Sequence, residues 1–169
     1  PMGSRLSIGV NANFKKKQKL KDAHLFVGND DARSIDVYYY KNDDSVLVER
    51  LFFGAEGVQA LDLFFSQELN QLFVVDGLAR EVKVVQPDGQ LVRSFGFGDL
   101  VDPKGLAVDV AAEEVYVSDY GAQLSDTASI KVFDLLGELD STKTITGSGL
   151  FSRPQGLALS NDKVYVITD

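Results

Sequence analysis

The sequence predicts an all-β fold, a β-propeller of four-stranded antiparallel blades that is incomplete in this chain. Three observations carry that expectation. One unit of sequence occurs about three and a half times in the 169 residues, and its matched positions lie roughly 43 to 50 residues apart, the period of a propeller blade or of a helical repeat. Within each copy, short apolar runs break at Gly, Asp, Asn or Pro, as strands do. No stretch sustains a 3.6-residue apolar period, which removes the helical alternative.

The elements follow in chain order. The earliest copy keeps the second-strand fragment Leu25-Phe26-Val27-Gly28-Asn29 and then the run Tyr38-Tyr39-Tyr40, which must place a ring on each side of its strand. The next copy has Ala60-Leu61-Asp62-Leu63 as its first strand and Leu72-Phe73-Val74-Val75-Asp76 as its second. Its third strand, Lys83-Val84-Val85-Gln86, turns at Pro87-Asp88-Gly89 into Gln90-Leu91-Val92, with Gly supplying the positive φ that such a turn needs. The clearest copy runs Pro103-Lys104-Gly105-Leu106-Ala107-Val108-Asp109, Val115-Tyr116-Val117-Ser118-Asp119 and Ile130-Lys131-Val132-Phe133-Asp134. The last runs Pro154-Gln155-Gly156-Leu157-Ala158-Leu159-Ser160 and Val164-Tyr165-Val166-Ile167-Thr168-Asp169. Blades are expected at approximately residues 23–56, 57–100 and 101–151, with a partial one at 152–169. Residues 1–22 are expected to be a tag remnant, Pro1-Met2-Gly3-Ser4, and a basic lead-in segment.

These motifs resemble the NHL-repeat family of β-propellers. The match is best from Phe95-Gly96 through Asp109, over Val115–Asp119 and over Ile130–Asp134, and it extends over about residues 23–169. Before Gly57 the family's Pro-x-Gly-Leu is replaced by Glu56-Gly57-Val58-Gln59. The resemblance implies a ring of usually six blades. It does not choose a function, because NHL propellers include RNA binders, protein-binding scaffolds and a lyase, and function lives in sites rather than folds. Six four-stranded blades at this period need about 270 residues. An arc of this length is therefore expected to belong to a longer protein, to associate through its open blade faces, or to close as a small ring.

Charge and composition sort the remaining classes. The whole chain carries −8, but residues 1–22 carry +5, concentrated in Lys15-Lys16-Lys17-Gln18-Lys19-Leu20-Lys21, so residues 23–169 carry −13. A body that acidic repels phosphate backbones, and no nucleic-acid partner is expected. No apolar run is long enough for a membrane span. The chain has no Cys, which excludes disulfides, thiolate metal sites and Cys nucleophiles. Acidity without Cys leans towards a periplasmic or extracellular bacterial location.

Catalytic groups are scarce. His24 is the single His, and one His supplies neither a multi-His metal site nor a Ser-His-Asp arrangement. No catalytic or cofactor-binding residue is assigned. Asp76, Asp119 and Asp169 are read as closing the second strand of successive copies, and Asp62 and Asp109 as closing the first. As rings about a channel they are the candidate metal ligands, for Ca²⁺. As a feature repeated in every blade they are expected instead to accept backbone amides in their own turns.

Departures from the repeat are where individual function is expected. Between Asp119 and Lys131 lie five more residues than between Asp76 and Lys83. That loop emerges on the same face as the blade-to-blade connections, where loops can bind without disturbing the core. Tyr120, Gln123, Leu124 and Asp126 in it, together with Tyr39, are the candidate partner-binding residues. The segment Phe64–Asn70 is expected to lengthen the opposite-face turn of the second copy by about four residues. The expected function is a non-catalytic binding or scaffold module for protein partners, acting through its propeller loops, with self-association through open blade faces. The alternatives are a propeller hydrolase or lyase with a channel cation, whose other site residues lie outside this chain, and a self-assembling structural subunit.

Overall fold

Short apolar strands and polar turns build four antiparallel sheets. A computed structural model describes residues 8–11, 23–41, 44–53, 55–122, 127–160 and 163–168. Among these there is no helix. The first sheet holds β1 (Ile8–Asn11), β2 (Ala23–Asn29), β3 (Ser34–Lys41) and β4 (Asp44–Leu51), side by side in that order. The second holds β5 (Ala60–Ser66), β6 (Gln71–Asp76), β7 (Glu81–Val85) and β8 (Leu91–Phe95). The third holds β9 (Pro103–Asp109), β10 (Glu114–Asp119), β11 (Ser129–Asp134) and the short β12 (Ile145–Thr146). The fourth pairs β13 (Pro154–Ser160) with β14 (Lys163–Thr168). Each sheet is a meander, and β1, β5, β9 and β13 are successive neighbours, so the sheets stack face to face as propeller blades do.

The core lies between blades, and the two-residue period of the strands puts it there. Along β6, Leu72 and Val74 enter the cluster shared with the first blade, beside Phe26, Ile35, Val37 and Leu51. The alternate residues Phe73 and Val75 enter the cluster shared with the third blade, beside Leu106, Val108, Val115 and Val117. All four β6 side chains are fully buried. Burying a side chain of this size contributes roughly 1.5–3 kcal/mol, so the two-sided strand β6 anchors both interfaces.

The ladders correct three expectations of register. First, β1 at Ile8–Asn11 belongs to the first blade, pairing Ile8 with Val27 and Asn11 with His24, within the segment expected to be a lead-in. Ile8-Gly9-Val10-Asn11 stands where Leu106-Ala107-Val108-Asp109 stands in the third blade, so a polar-capped apolar alternation was its signal. Second, Ser66 rather than Asp62 is level with Asp109, because Ser66 pairs with Gln71 as Asp109 pairs with Glu114. Phe64 and Phe65 are strand residues, and the turns 67–70 and 110–113 have the same length. The lengthened turn expected at Phe64–Asn70 is therefore absent. Its appearance came from matching two carboxylates instead of two ladder positions. Third, Pro154 pairs with Thr168 as Pro103 pairs with Asp119. Thr168 thus occupies the strand-closing position given to Asp169, which lies outside the described residues.

Turn chemistry repeats with the blades. Gly89 and Gly137 take φ of +85° and +100° in equivalent turns, closed by Gly89 N–H to Gln86 O and Gly137 N–H to Asp134 O. A side chain at Gly137 would also collide with the Phe95 ring.

Candidate functional site

The carboxylates that close β6 and β10 face inward and are buried. Asp76 Oδ1 accepts the amides of Gln59 at 3.2 Å, Leu78 at 3.0 Å and Ala79 at 3.3 Å. Its Oδ2 accepts Lys83 Nζ at 2.7 Å. Asp119 accepts the amides of Val101, Asp102 and Gly121 at 2.7–3.0 Å. Each carboxylate therefore pins its own turn and the connection arriving from the preceding sheet. Asn29 fills the same position in the first blade, with Oδ1 accepting the Ala32 amide at 3.0 Å. Among the described residues no group of three or more His, Asp or Glu side chains could hold a metal ion. His24 is exposed and its ring lies 5.4 Å from that of Tyr39, which is half-buried.

The polar pair beneath these turns changes sign between blades. Lys83 in β7 pairs with Asp76 and with Glu81 at 2.6 Å. Both ion pairs and their hydrogen bonds hold the Lys83 ammonium above its ordinary value, against the opposing effect of burial. The equivalent residue of the first blade is Asp36, buried at 2 % exposure. It accepts Arg50 Nε at 2.7 Å and Nη2 at 3.0 Å, Asn29 Nδ2 at 2.8 Å and Ser34 Oγ at 3.1 Å. The Arg50 guanidinium beside it holds the Asp36 carboxyl below the usual carboxylate range. Sequence reasoning missed this swap, because a buried Asp on an alternating strand reads as an ordinary surface residue.

The candidate partner-binding loop leaves this end of the third blade. Residues 120–128 connect β10 to β11, where residues 77–80 connect β6 to β7. Tyr120 stands at its base, half-buried, with its amide bonded to Asp102 O at 3.0 Å. Two cations reach its ring: Lys104 Nζ at 4.7 Å from the centroid and the Arg153 guanidinium at 5.4 Å. Lys104 also pairs with Asp102. The stem of the loop is closed by Ala122 N–H to Thr127 Oγ1 at 2.8 Å. Gly121 there takes φ of +69°, and a Cβ would strike Thr127. Gln123, Leu124 and Asp126 lie outside the described residues. Tyr120 and Tyr39 belong to different blades, and the structure groups Tyr120 with Lys104 and Arg153 instead. No local motif announces that grouping, because the two cations come from the strand and connection that open successive blades.

No family model matches the chain, and no curated protein matches it. Solved structures do. A hydrazine synthase from Kuenenia stuttgartiensis is similar at 13 % identity and a TM-score of 0.60, covering 80 % of this chain and 36 % of that one. The nidogen/laminin complex is similar at 15 % identity and a TM-score of 0.62, covering 86 % of this chain and 52 % of that one. A candidate 6-phosphogluconolactonase from Bacteroides uniformis is similar at 13 % identity and a TM-score of 0.65, covering 85 % and 43 %. The chain thus spans about a third to a half of the solved structures it matches. Identities this low carry the fold alone: this is an all-β chain of propeller blades.

Proposed function

We propose that this chain is an NHL-like propeller segment acting as a non-catalytic binding module, which takes an acidic, extended segment of a partner protein at the loops around Tyr120. The observation that carries the reading is the convergence of Lys104 and Arg153 on the Tyr120 ring, at the foot of the connection 120–128. Lys104, itself paired with Asp102, and Arg153 bring two cationic groups to one aromatic ring on a body of charge −13. These groups offer short-range partners for a carboxylate and a flat ring for an apolar neighbour, acting against the long-range repulsion of the acidic body. Blade loops on a rigid sheet scaffold suit this role. The similarity to a structure of a protein–protein complex, nidogen with laminin, is compatible support at the level of fold.

The test is titration of the labelled chain with an Asp/Glu-rich peptide and, in parallel, a Lys-rich peptide of equal length. The acidic peptide is expected to shift amide resonances at Tyr120, Lys104 and Arg153, and the Lys-rich one to leave them unmoved. Tyr120→Ala and Arg153→Glu are expected to weaken the acidic peptide several-fold without unfolding the chain. Equal response to both peptides, or binding untouched by both substitutions, overturns the reading.

A further inference from the structure

An aromatic side chain stands in solvent at the end of the sheets that carries Tyr120. Phe97, in the connection 96–102 from β8 to β9, is 81 % exposed. Its backbone is held on both sides. Gly96 and Gly98 take φ of +87° and +89°, a conformation that favours glycine. The Asp99 and Leu100 amides donate to Gly96 O at 3.0 and 2.8 Å, and Lys131 Nζ donates to Asp99 O at 2.6 Å. The turn itself does not call for a phenylalanine. In the next connection the Leu150 and Phe151 amides donate to Gly147 O in the same pattern, and Ser148 stands where Phe97 stands. Phe97 is therefore an apolar group on a fixed backbone, at a position where the repeat does not require one.

The same connection leads to Tyr120. Asp102 near its far end accepts the Tyr120 amide at 3.0 Å, and the Val101 and Asp102 amides donate to Asp119. The chain from Phe97 to Asp102 reaches at most roughly 18 Å, a span that a short extended peptide covers. Charge along this path is matched: Lys104 pairs with Asp102, and Lys131 Nζ sits on the Asp99 carbonyl. The apolar side chains exposed on it are Phe97 and Val101. The path thus favours an uncharged apolar residue, whereas Lys104 and Arg153 at the Tyr120 ring favour a carboxylate. We propose that Phe97 is the apolar anchor of the peptide site: the partner segment carries a leucine-like or aromatic residue that packs on Phe97, about five residues from the carboxylate held at Tyr120. This inference rests on the acidic-segment reading and narrows it, since a uniformly acidic segment would set carboxylates beside Asp99. A ring already fixed by its backbone loses little freedom on contact, which suits it to anchor a partner.

The test uses peptides of equal length with one acidic cluster. A leucine stands about five residues before or after the cluster in two of them, and a serine replaces it in their controls. The leucine peptide of the right polarity is expected to shift the amides of Phe97 and Gly98 as well as Tyr120, and to bind about tenfold more tightly than its control. Phe97→Ser, which installs the residue of the next connection, is expected to remove that advantage while leaving the melting temperature and the affinity of the control unchanged. Tyr120→Ala is expected to weaken both peptides. Equal binding of leucine and serine peptides, with shifts at Tyr120 alone, overturns the Phe97 anchor and spares the acidic-segment reading. A leucine advantage that survives Phe97→Ser overturns the anchor too. No shift at Tyr120 with any acidic peptide overturns both. Light scattering without peptide separates a second copy of the chain: a mass that falls on Phe97→Ser assigns Phe97 to self-association and overturns the proposal.

Discussion

Asp62 Oδ2 accepts the amide hydrogen of Leu106 at 2.9 Å, joining the first strand of one blade to the first strand of the next. Its other oxygen accepts the Leu63 amide, also at 2.9 Å. The bond crosses the seam whose apolar cluster includes Phe73, Leu106 and Val108. Asp62→Ala leaves two part-buried amides without this acceptor and is expected to cost about 1–3 kcal/mol. Asp62→Asn keeps an oxygen in place and is expected to cost less. Urea denaturation checks both; equal stability of wild type and Asp62→Ala would show that the seam does not depend on this carboxylate.

Asp76 accepts three backbone amides and one ammonium, and a structural clamp is the role expected of it. Calcium and EDTA are expected to leave the melting temperature of the chain unchanged, whereas a site filled at 100 times its dissociation constant would add about 2.7 kcal/mol. Asp76→Ala orphans those donors and leaves Lys83 with Glu81 alone, and a loss of roughly 3 kcal/mol is expected. A calcium-dependent rise in melting temperature would revive the channel-cation alternative.

Acid stability has a named contributor in Asp36. Its folded-state pKa lies below the ordinary value of 3.8, chiefly through the Arg50 hydrogen bonds. A carboxyl depressed on folding adds stability that is fully present above its unfolded value and is lost as pH falls through the folded one. The wild type is therefore expected to lose this increment below about pH 4, and Asp36→Asn to lack it at every pH. Denaturation at pH 7 and pH 3 measures the gap between the two proteins. A gap that fails to narrow at pH 3 removes Asp36 from the acid response.

The outer faces of the end blades predict association. Phe73 is fully buried, whereas its counterpart Tyr165 in β14 is 54 % exposed and Ile167 two residues on is 67 % exposed. At the opposite end Leu47 of β4, level with Tyr38 on the face turned away from the second blade, is 44 % exposed. Apolar faces of this kind favour contact with another chain. Light scattering across a dilution series is expected to show a mass above the monomer, reduced by Ile167→Lys combined with Leu47→Lys. A monomer at all concentrations would show that these side chains are tolerated in water.

The sequence by itself determined that the chain is built of repeated four-stranded units, because strand alternation and turn residues are local properties. Val115-Tyr116-Val117 announces a two-sided strand, and Gly89 and Gly137 announce turns, without reference to anything distant. The loop after Asp119 was legible for the same reason, as extra length between matched strands. Tertiary structure alone decided register. Asp62 and Asp109 look equivalent in sequence, yet cross-strand hydrogen bonds set Ser66 level with Asp109 and turn Asp62 towards Leu106. It also decided which side chains meet: Lys104, Tyr120 and Arg153 are separated along the chain and converge because blade connections emerge at one end of the sheets. Local patterning sets the strands, whereas contacts between blades depend on long-range pairing that no single segment encodes.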